Sequence, residues 1–291
     1  MLNTAIIGLG LLGGSLGLAL KKCPVKRLGW ARRDITRATA LELDAIDETS
    51  SDLEEILRKA DTVVLALPIP AIIDYMPVCA KVCRPGTVIT DIGSIKSEIM
   101  SAAEKIFTDP AGPYFAGSHP MAGTEKSGIA SAFAELYSNA DVFITPSQNI
   151  PDEAVAKIET LWQHLNCHTS ILDAEKHDRL VAETSHALHV VASALSLSIL
   201  DNPDETEKLF RFRGCATGFK DTSRIASSSP RMWREIIEHN QQAVLAALDG
   251  FQKSLDDFRA LIRSGDFDGF EEKFTAGKIL RDAWLKYKGM K

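Results

Sequence analysis

Six residues near the N-terminus constrain this chain more than any others. Gly8-Leu9-Gly10-Leu11-Leu12-Gly13 follows the apolar run Thr4–Ile7 and opens the helical pattern Leu11–Lys21. A glycine at the first place permits a tight turn, one at the second lets the backbone approach a diphosphate, and one at the third lets the helix pack on the strand. The free N–H groups and dipole of a helix start then favour an anion. In this strand-turn-helix setting, Gly8, Gly10, Leu11, Leu12 and Gly13 are expected to form a dinucleotide cradle.

The pattern that follows agrees with an α/β fold. Thr4–Ile7, Arg27–Trp30, Thr62–Leu67, Thr87–Thr90, Tyr114–Ala116, Asp141–Ile144 and His168–Leu172 read as strands. Leu11–Lys21, Thr36–Leu43, Leu53–Lys59, Ile72–Val82 and Glu98–Ile106 carry helical spacing between them. Such alternation implies crossovers and a Rossmann-type, doubly wound, mostly parallel sheet. Leu67 and Pro68, at the end of one of these strands, are expected to border the cofactor.

After Asp173, placed to cap a helix, the strand signal fades. Ala174–Leu200 reads as one long helix stopped by Pro203, and Ser229-Pro230 opens a second long pattern that Gly265 ends, with a last helix at Phe267–Tyr287. The 291 residues therefore suggest a dinucleotide-binding domain over 1–172 and an all-helical substrate and dimerisation domain over 173–291. Its apolar stripes are wider than one small bundle covers, which points to a homodimer.

Composition excludes several classes. Lys and Arg total 33 against 39 Asp and Glu, a net charge of −6, which argues against a nucleic-acid footprint or a polybasic membrane anchor. No apolar run approaches bilayer length, and the start lacks the basic flank of a signal peptide. Five scattered cysteines, with Cys79 and Cys83 four apart in a helical stretch, read as thiols in a reducing cytoplasm.

The second strand bears on which nucleotide binds. An acid about twenty residues beyond the loop normally holds the adenosine ribose. Here Ala31 stands 21 residues after Gly10, followed by Arg32-Arg33. Alanine accepts no hydroxyl, whereas two guanidiniums grip a 2′-phosphate, so NADP is expected over NAD. Asp34 keeps NAD open, although it also suits a helix cap ahead of Ile35-Thr36-Arg37.

Two further segments lie where loops at strand ends line the crevice of an open sheet: Asp91-Ile92-Gly93-Ser94-Ile95-Lys96 and Gly117-Ser118-His119-Pro120-Met121-Ala122-Gly123-Thr124-Glu125. His119 is the side chain there suited to act as a base near neutrality, and Ser94 can bond the same reacting hydroxyl. With these loops, Ser185-His186-Ala187-Leu188-His189 and Gly218-Phe219-Lys220-Asp221-Thr222-Ser223-Arg224-Ile225-Ala226 followed by Met232-Trp233, the chain resembles the prephenate/arogenate dehydrogenase family of tyrosine biosynthesis. The resemblance covers nearly the whole chain. It departs at Ala187-Leu188, where many members carry a proline, and at Ala31-Arg32-Arg33, where NAD-using members carry an acid.

The resemblance implies an oxidative decarboxylation. Hydride passes from the ring carbon bearing the 4-hydroxyl to nicotinamide, His119 takes or polarises the hydroxyl proton, Ser94 orients that group, and the ring carboxylate leaves as CO2. It also implies a pocket with Arg224 and His189 and Trp233 nearby; Arg224 suits a carboxylate in bidentate fashion. Thr124 and Glu125 are expected to shape or gate the site. His177-Asp178 is expected to serve a helix terminus. His186 and His189 have a spacing open to metal, but no carboxylate-rich third ligand is evident and hydride transfer needs none, so no metal is expected. Because His119 must be neutral, kcat/KM should rise through a pKa near that of free histidine.

Two other readings remain open on the residues alone. A β-hydroxyacid or imine-type dehydrogenase would share the plan but typically uses a lysine or another acid on the interdomain helix. A non-catalytic dinucleotide sensor would keep Gly8–Gly13 without needing Ser94, His119 and Arg224 together. Prephenate and arogenate are not separated, since Asp221 suits either an ammonium group or a helix cap. With no appended regulatory or mutase segment expected, any tyrosine inhibition would act by competition at the site.

Overall fold

Aliphatic residues alternate along the N-terminal strands, and successive side chains of a strand point to opposite faces. In β1 (Leu2–Ile7), Ala5 and Ile7 enter one apolar layer and Ile6 the other; in β4 (Thr62–Leu65), Val63 and Leu65 do so against Val64. A sheet buried on both faces needs helices on both, which is the doubly wound solution.

The computed structural model describes residues 2–124 and 126–290. With β2 (Val25–Trp30), β3 (Glu48–Thr49), β5 (Val88–Asp91), β6 (Tyr114–Pro120), β7 (Asp141–Pro146) and β8 (His168–Ile171), it holds an eight-stranded sheet in the order β3-β2-β1-β4-β5-β6-β7-β8. Pairing is parallel from β3 to β6, antiparallel between β6 and β7, and parallel again to β8. Strand order reverses between β1 and β4, the switch point where open sheets of this kind bind ligands.

Helices α1 (Leu11–Leu20), α2 (Asp34–Glu42) and α6 (Asp152–Gln163) supply Leu16, Leu20, Ala40, Ile158 and Trp162 to one face. Helices α3 (Leu53–Lys59), α4 (Ile69–Val82) and α5 (Ser97–Ile106) supply Ile56, Ile72, Met76 and Ile99 to the other. Each Leu, Ile or Met among them removed from water contributes roughly 1.5–3 kcal/mol. Strand β3 and helix α6 are additional to the expected elements. The α6 signal was present: Pro151 at the N-cap, acids at Asp152 and Glu153, and core residues Ala154, Val155, Ile158, Leu161 and Trp162 at helical spacing.

Beyond the sheet, Asp173 caps α7 (Ala174–Val181) by accepting the Lys176 N–H at 2.9 Å, as expected. A π-helical turn over Ala182–His186 joins α7 to α8 (Ala187–Leu200). This run, Ala174–Leu200, is by length and composition apolar enough to cross a bilayer, contrary to the reading that no segment approaches that length. It nevertheless buries His177, Asp178 and His186 within the sheet-bearing unit. Helices α9 (Glu205–Gly214) and α10 (Thr217–Ser223), both unread in the sequence, lead through a 3-10 turn at Arg224–Ser227 to α11 (Pro230–His239). The long pattern expected from Ser229-Pro230 breaks at Asn240, whose φ of −131° and ψ of 29° leave the helical region. It resumes as α12 (Gln241–Ser264), closed by Gly265 at φ 71° and followed by α13 (Phe267–Tyr287).

Backbone packing divides the chain into one compact unit through Gln241 and a second from Gln242 onward. In the second, Phe270 meets Phe258 edge-on at 5.5 Å and Lys273 pairs with Asp257 at 2.8 Å. Phe251, Leu255, Ile262, Phe274, Leu280 and Trp284 of this unit are exposed.

Candidate active site

The glycine loop is built as its spacing requires. Gly8 sits at φ 102° and donates its N–H to the Trp30 carbonyl at 2.8 Å. A Cβ on Gly8 would lie 2.2 Å from the Ala66 oxygen, and one on Gly13 would lie 1.9 Å from the Gly8 oxygen. Nothing comes within 4 Å of a Cβ on Gly10. Two glycines are thus demanded by packing, while the third faces open space at the start of α1, where the Leu11, Leu12 and Gly13 amides begin the helix. That shape and charge fit a diphosphate. Leu67 packs against Gly8, and the exposed Pro68 is the N-cap residue of α4.

Ala31 follows β2 with its side chain buried and its carbonyl accepting from Arg37 at 2.5 Å. Arg32 and Arg33 are exposed and make no side-chain hydrogen bond or ion pair among the described residues. Asp34 does not cap α2. Arg33 occupies the N-cap, and Asp34, one residue too far along, is the first helical residue and pairs with Arg37 instead.

The two segments expected to carry the chemistry lie further along the sheet, at β5 and β6. His119 is placed on β6 itself, opposite Phe143 of β7, and not in the loop that the sequence suggested. Antiparallel pairing with β7 extends β6 past the point where β5 stops, so the strand carries the histidine outward. Asp91 ties the two strands: its carboxylate accepts the Gly93 N–H at 2.7 Å and the Ser118 N–H at 3.2 Å, and it pairs with Lys96. Asp91 and Lys96 are both fully buried. Burial lowers the Lys96 pKa despite the opposing pull of Asp91. Ser94, in the loop between β5 and α5, is half-buried with no hydrogen bond from its hydroxyl among the described residues.

His119 Nδ1 lies 2.9 Å from His177 Nε2, and His177 Nδ1 lies 2.8 Å from Asp178 Oδ1. Asp178 also accepts the N–H groups of Lys96 at 2.6 Å and Ser97 at 2.8 Å. The expectation that His177-Asp178 serves a helix terminus is therefore corrected in its target: Asp178 holds the start of α5, not of its own helix. Burial, with His177, Lys96 and His186 adding like charge, pushes His119 well below the usual histidine range. The expected pKa near that of free histidine is overturned for this reason. Burial likewise lowers His177, outweighing the hydrogen bond to Asp178. At Asp178 burial raises the carboxyl, but hydrogen bonds from His177, Ser97 and Lys96 prevail and hold it below the ordinary value.

Asn240 links this cluster to the π-helical turn. Its amide nitrogen donates to the Asp178 carbonyl at 2.9 Å and approaches His186 Nδ1 at 3.2 Å. Burial brings His186 down to about 4. The Trp233 ring lies edge-on to His186 at 5.8 Å and stacks on His189 at 3.7 Å. The Trp233 indole N–H is buried with no acceptor among the described residues. His189 Nδ1 donates to the Ser185 carbonyl at 2.9 Å, leaving Nε2 as its acceptor. Burial lowers the His189 pKa, and the positive charge of Arg224 adds to this. Arg224 is exposed and without an ion pair among the described residues. Thr124 accepts the Lys126 N–H at 3.1 Å, and Glu125 lies outside the described residues. Contacts thus run from His119 through His177, Asp178, Asn240, His186 and Trp233 to His189, on which the charge of Arg224 bears. The structure adds Lys96, the N-cap residue of α5, His177 and Asp178 on the charged helix α7, and Asn240, the C-cap residue of α11, which carried no sequence signal of its own.

Residues 16–171 match the model of the prephenate dehydrogenase nucleotide-binding domain, and residues 173–276 that of the prephenate dehydrogenase dimerization domain. The chain belongs to the prephenate dehydrogenase family. It is 34% identical to the prephenate dehydrogenase of Bacillus subtilis over 98% of this chain and 76% of that one. It superposes on the crystal structure of prephenate dehydrogenase from Aquifex aeolicus in complex with hydroxyphenyl propionate and NAD+ with a TM-score of 0.88, at 30% identity over 97% of this chain and 98% of that one. The Synechocystis arogenate dehydrogenase gives a TM-score of 0.85 at 27% identity, over 97% of this chain and 100% of that one. Family membership makes this protein an oxidoreductase with a pyridine-nucleotide-binding domain.

Proposed function

We propose that this protein catalyses the NADP-dependent oxidative decarboxylation of prephenate, arogenate or both, giving 4-hydroxyphenylpyruvate or tyrosine. The observation that carries the proposal is His119: a histidine buried on β6 with its Nδ1 2.9 Å from His177 Nε2, whose charged form burial disfavours. A nicotinamide dinucleotide held at the Gly8–Gly13 loop would supply the hydride acceptor. His119 accepts the proton of the substrate's 4-hydroxyl, and Ser94 orients that hydroxyl. Arg224, without an ion pair among the described residues, takes a substrate carboxylate, with His189 and Trp233 walling the pocket and Thr124 shaping its mouth. Alignment and base catalysis suffice because aromatisation drives the loss of CO2.

Gly8, Gly10, Leu11, Leu12 and Gly13, bordered by Leu67 and Pro68, hold the diphosphate. Ala31, Arg32 and Arg33 favour NADP, since two guanidiniums without partners among the described residues suit a phosphate, while the neighbouring Asp34 pairs with Arg37. Residues 1–172 serve the cofactor and 173–291 the substrate and a homodimer, whose partner covers the apolar surface of α12 and α13. The five cysteines, all free thiols, suit a cytoplasmic enzyme. The test is absorbance at 340 nm with each substrate and each nucleotide. Reduction of NADP with at least one substrate, at a higher kcat/KM than with NAD, is expected. Silence with both substrates contradicts the reaction, and a clear NAD preference contradicts the cofactor assignment.

A further inference from the structure

Behind His119 runs a chain of buried polar contacts that the proposed reaction does not itself use. Asp178 receives three donors: the Lys96 amide, the Ser97 amide and His177 Nδ1. Two of the three are backbone N–H groups, which only donate, so Asp178 stands there as an acceptor. The hydrogen between Asp178 and His177 therefore belongs to His177 Nδ1. A neutral imidazole with hydrogen on Nδ1 carries its lone pair on Nε2, and that atom lies 2.9 Å from His119 Nδ1. The hydrogen of this second contact then belongs to His119 Nδ1, which leaves the His119 lone pair on Nε2.

We infer that Asp178 and His177 are positioning residues that lock His119 as its Nδ1–H tautomer, with Nε2 as the proton acceptor. The inference rests on the reading of His119 as the base. Asp178 fixes His177, His177 fixes His119, and neither touches substrate. The arrangement also accounts for the charge that appears in the reaction. Once Nε2 takes the hydroxyl proton, His119 is an imidazolium donating through Nδ1 to His177, which in turn donates to the Asp178 carboxylate. That anion offsets the new positive charge two hydrogen bonds away, and no further proton transfer is required. Because Asp178 also holds the amides of Lys96 and Ser97, it sets His119 and the start of α5, just beyond Ser94, in one frame.

The experiment is a long-range 1H–15N correlation spectrum of the full-length protein with 15N-labelled histidine, assigned through His119→Asn, alongside turnover of His177→Leu and His177→Gln. The wild type is expected to show His119 as Nδ1–H. His177→Leu, which removes the acceptor, should mix the tautomers and lower kcat by roughly 10–10²-fold, while cofactor affinity stays within about twofold. His177→Gln places an amide oxygen within reach of Nδ1 and should restore both the tautomer and most of kcat. A wild-type His119 bearing its hydrogen on Nε2 overturns the inference, whatever the variants do. So does a His177→Leu enzyme with unaltered tautomer and kcat, or a His177→Gln enzyme no better than His177→Leu. The spectrum reads the relay without substrate, so inactivity toward prephenate and arogenate would refute the proposed reaction separately.

Discussion

His119 works against its own surroundings: burial disfavours its charged form, and the nearby Lys96 adds to that cost. A base held neutral below the usual histidine range remains competent in mildly acidic solution. The acid limb of kcat/KM, which reports the free enzyme, should therefore fall at a pH below about 6.5. A limb at or above that value, measured with saturating nucleotide, contradicts the assignment of the limb to this histidine. Arg224 presents the opposite case, a charge in solvent with no partner among the described residues. Arg224→Ala removes a charge-assisted contact of roughly 1.5–3 kcal/mol, so KM for the substrate should rise about 10–10²-fold with kcat little changed. An unchanged KM would take Arg224 out of the pocket.

Among the elements, β5, β6 and α5 are bound by one buried ion pair. Asp91 accepts two backbone amides as well as Lys96, so Asp91→Ala strands a buried ammonium and two N–H groups together. A loss of about 3–5 kcal/mol is expected, read as a lower urea midpoint at an unchanged slope. A loss under about 1 kcal/mol would show that water reaches the pair. The glycine loop and the main strands and helices of the sheet were legible because period-2 and helical apolar spacing, and the needs of a tight turn, are local properties. Leu53–Lys59 was read to the residue. What escaped was whatever tertiary contact decides. His119 looked like a loop residue because only β7 makes its segment a strand. His177 and Asp178 looked like a helix end because their partners lie about 58 and 82 residues away in sequence. Asp34 looked like a cap because its pairing with Arg37 is invisible until α2 has a starting point.

For the whole molecule, the buried histidine cluster is an acid liability. His119, His177 and His186 all have pKa values lowered by burial, His186 to about 4. Their folded values lie below those of the unfolded chain, so the unfolded state binds more protons between the two. Stability is then fully present above about pH 6.5 and declines as pH falls through the folded values. His186 alone accounts for about 3 kcal/mol across that window. Chemical unfolding at pH 7.5, 6 and 5 should show a progressive loss, and a stability that is flat or rising toward pH 5 would contradict the buried, neutral state of these histidines.

In the proposed reaction this fold oxidises and decarboxylates its substrate with His119 as the base. The most direct measurement follows nucleotide reduction at 340 nm and CO2 release in one reaction, for the wild type and for His119→Asn. The wild type should form reduced nucleotide and CO2 in equal amounts from prephenate or arogenate, and His119→Asn should lose roughly 10²–10⁴-fold in kcat while still binding nucleotide. Reduction without matching CO2, or a His119→Asn enzyme with near-normal turnover, would contradict it.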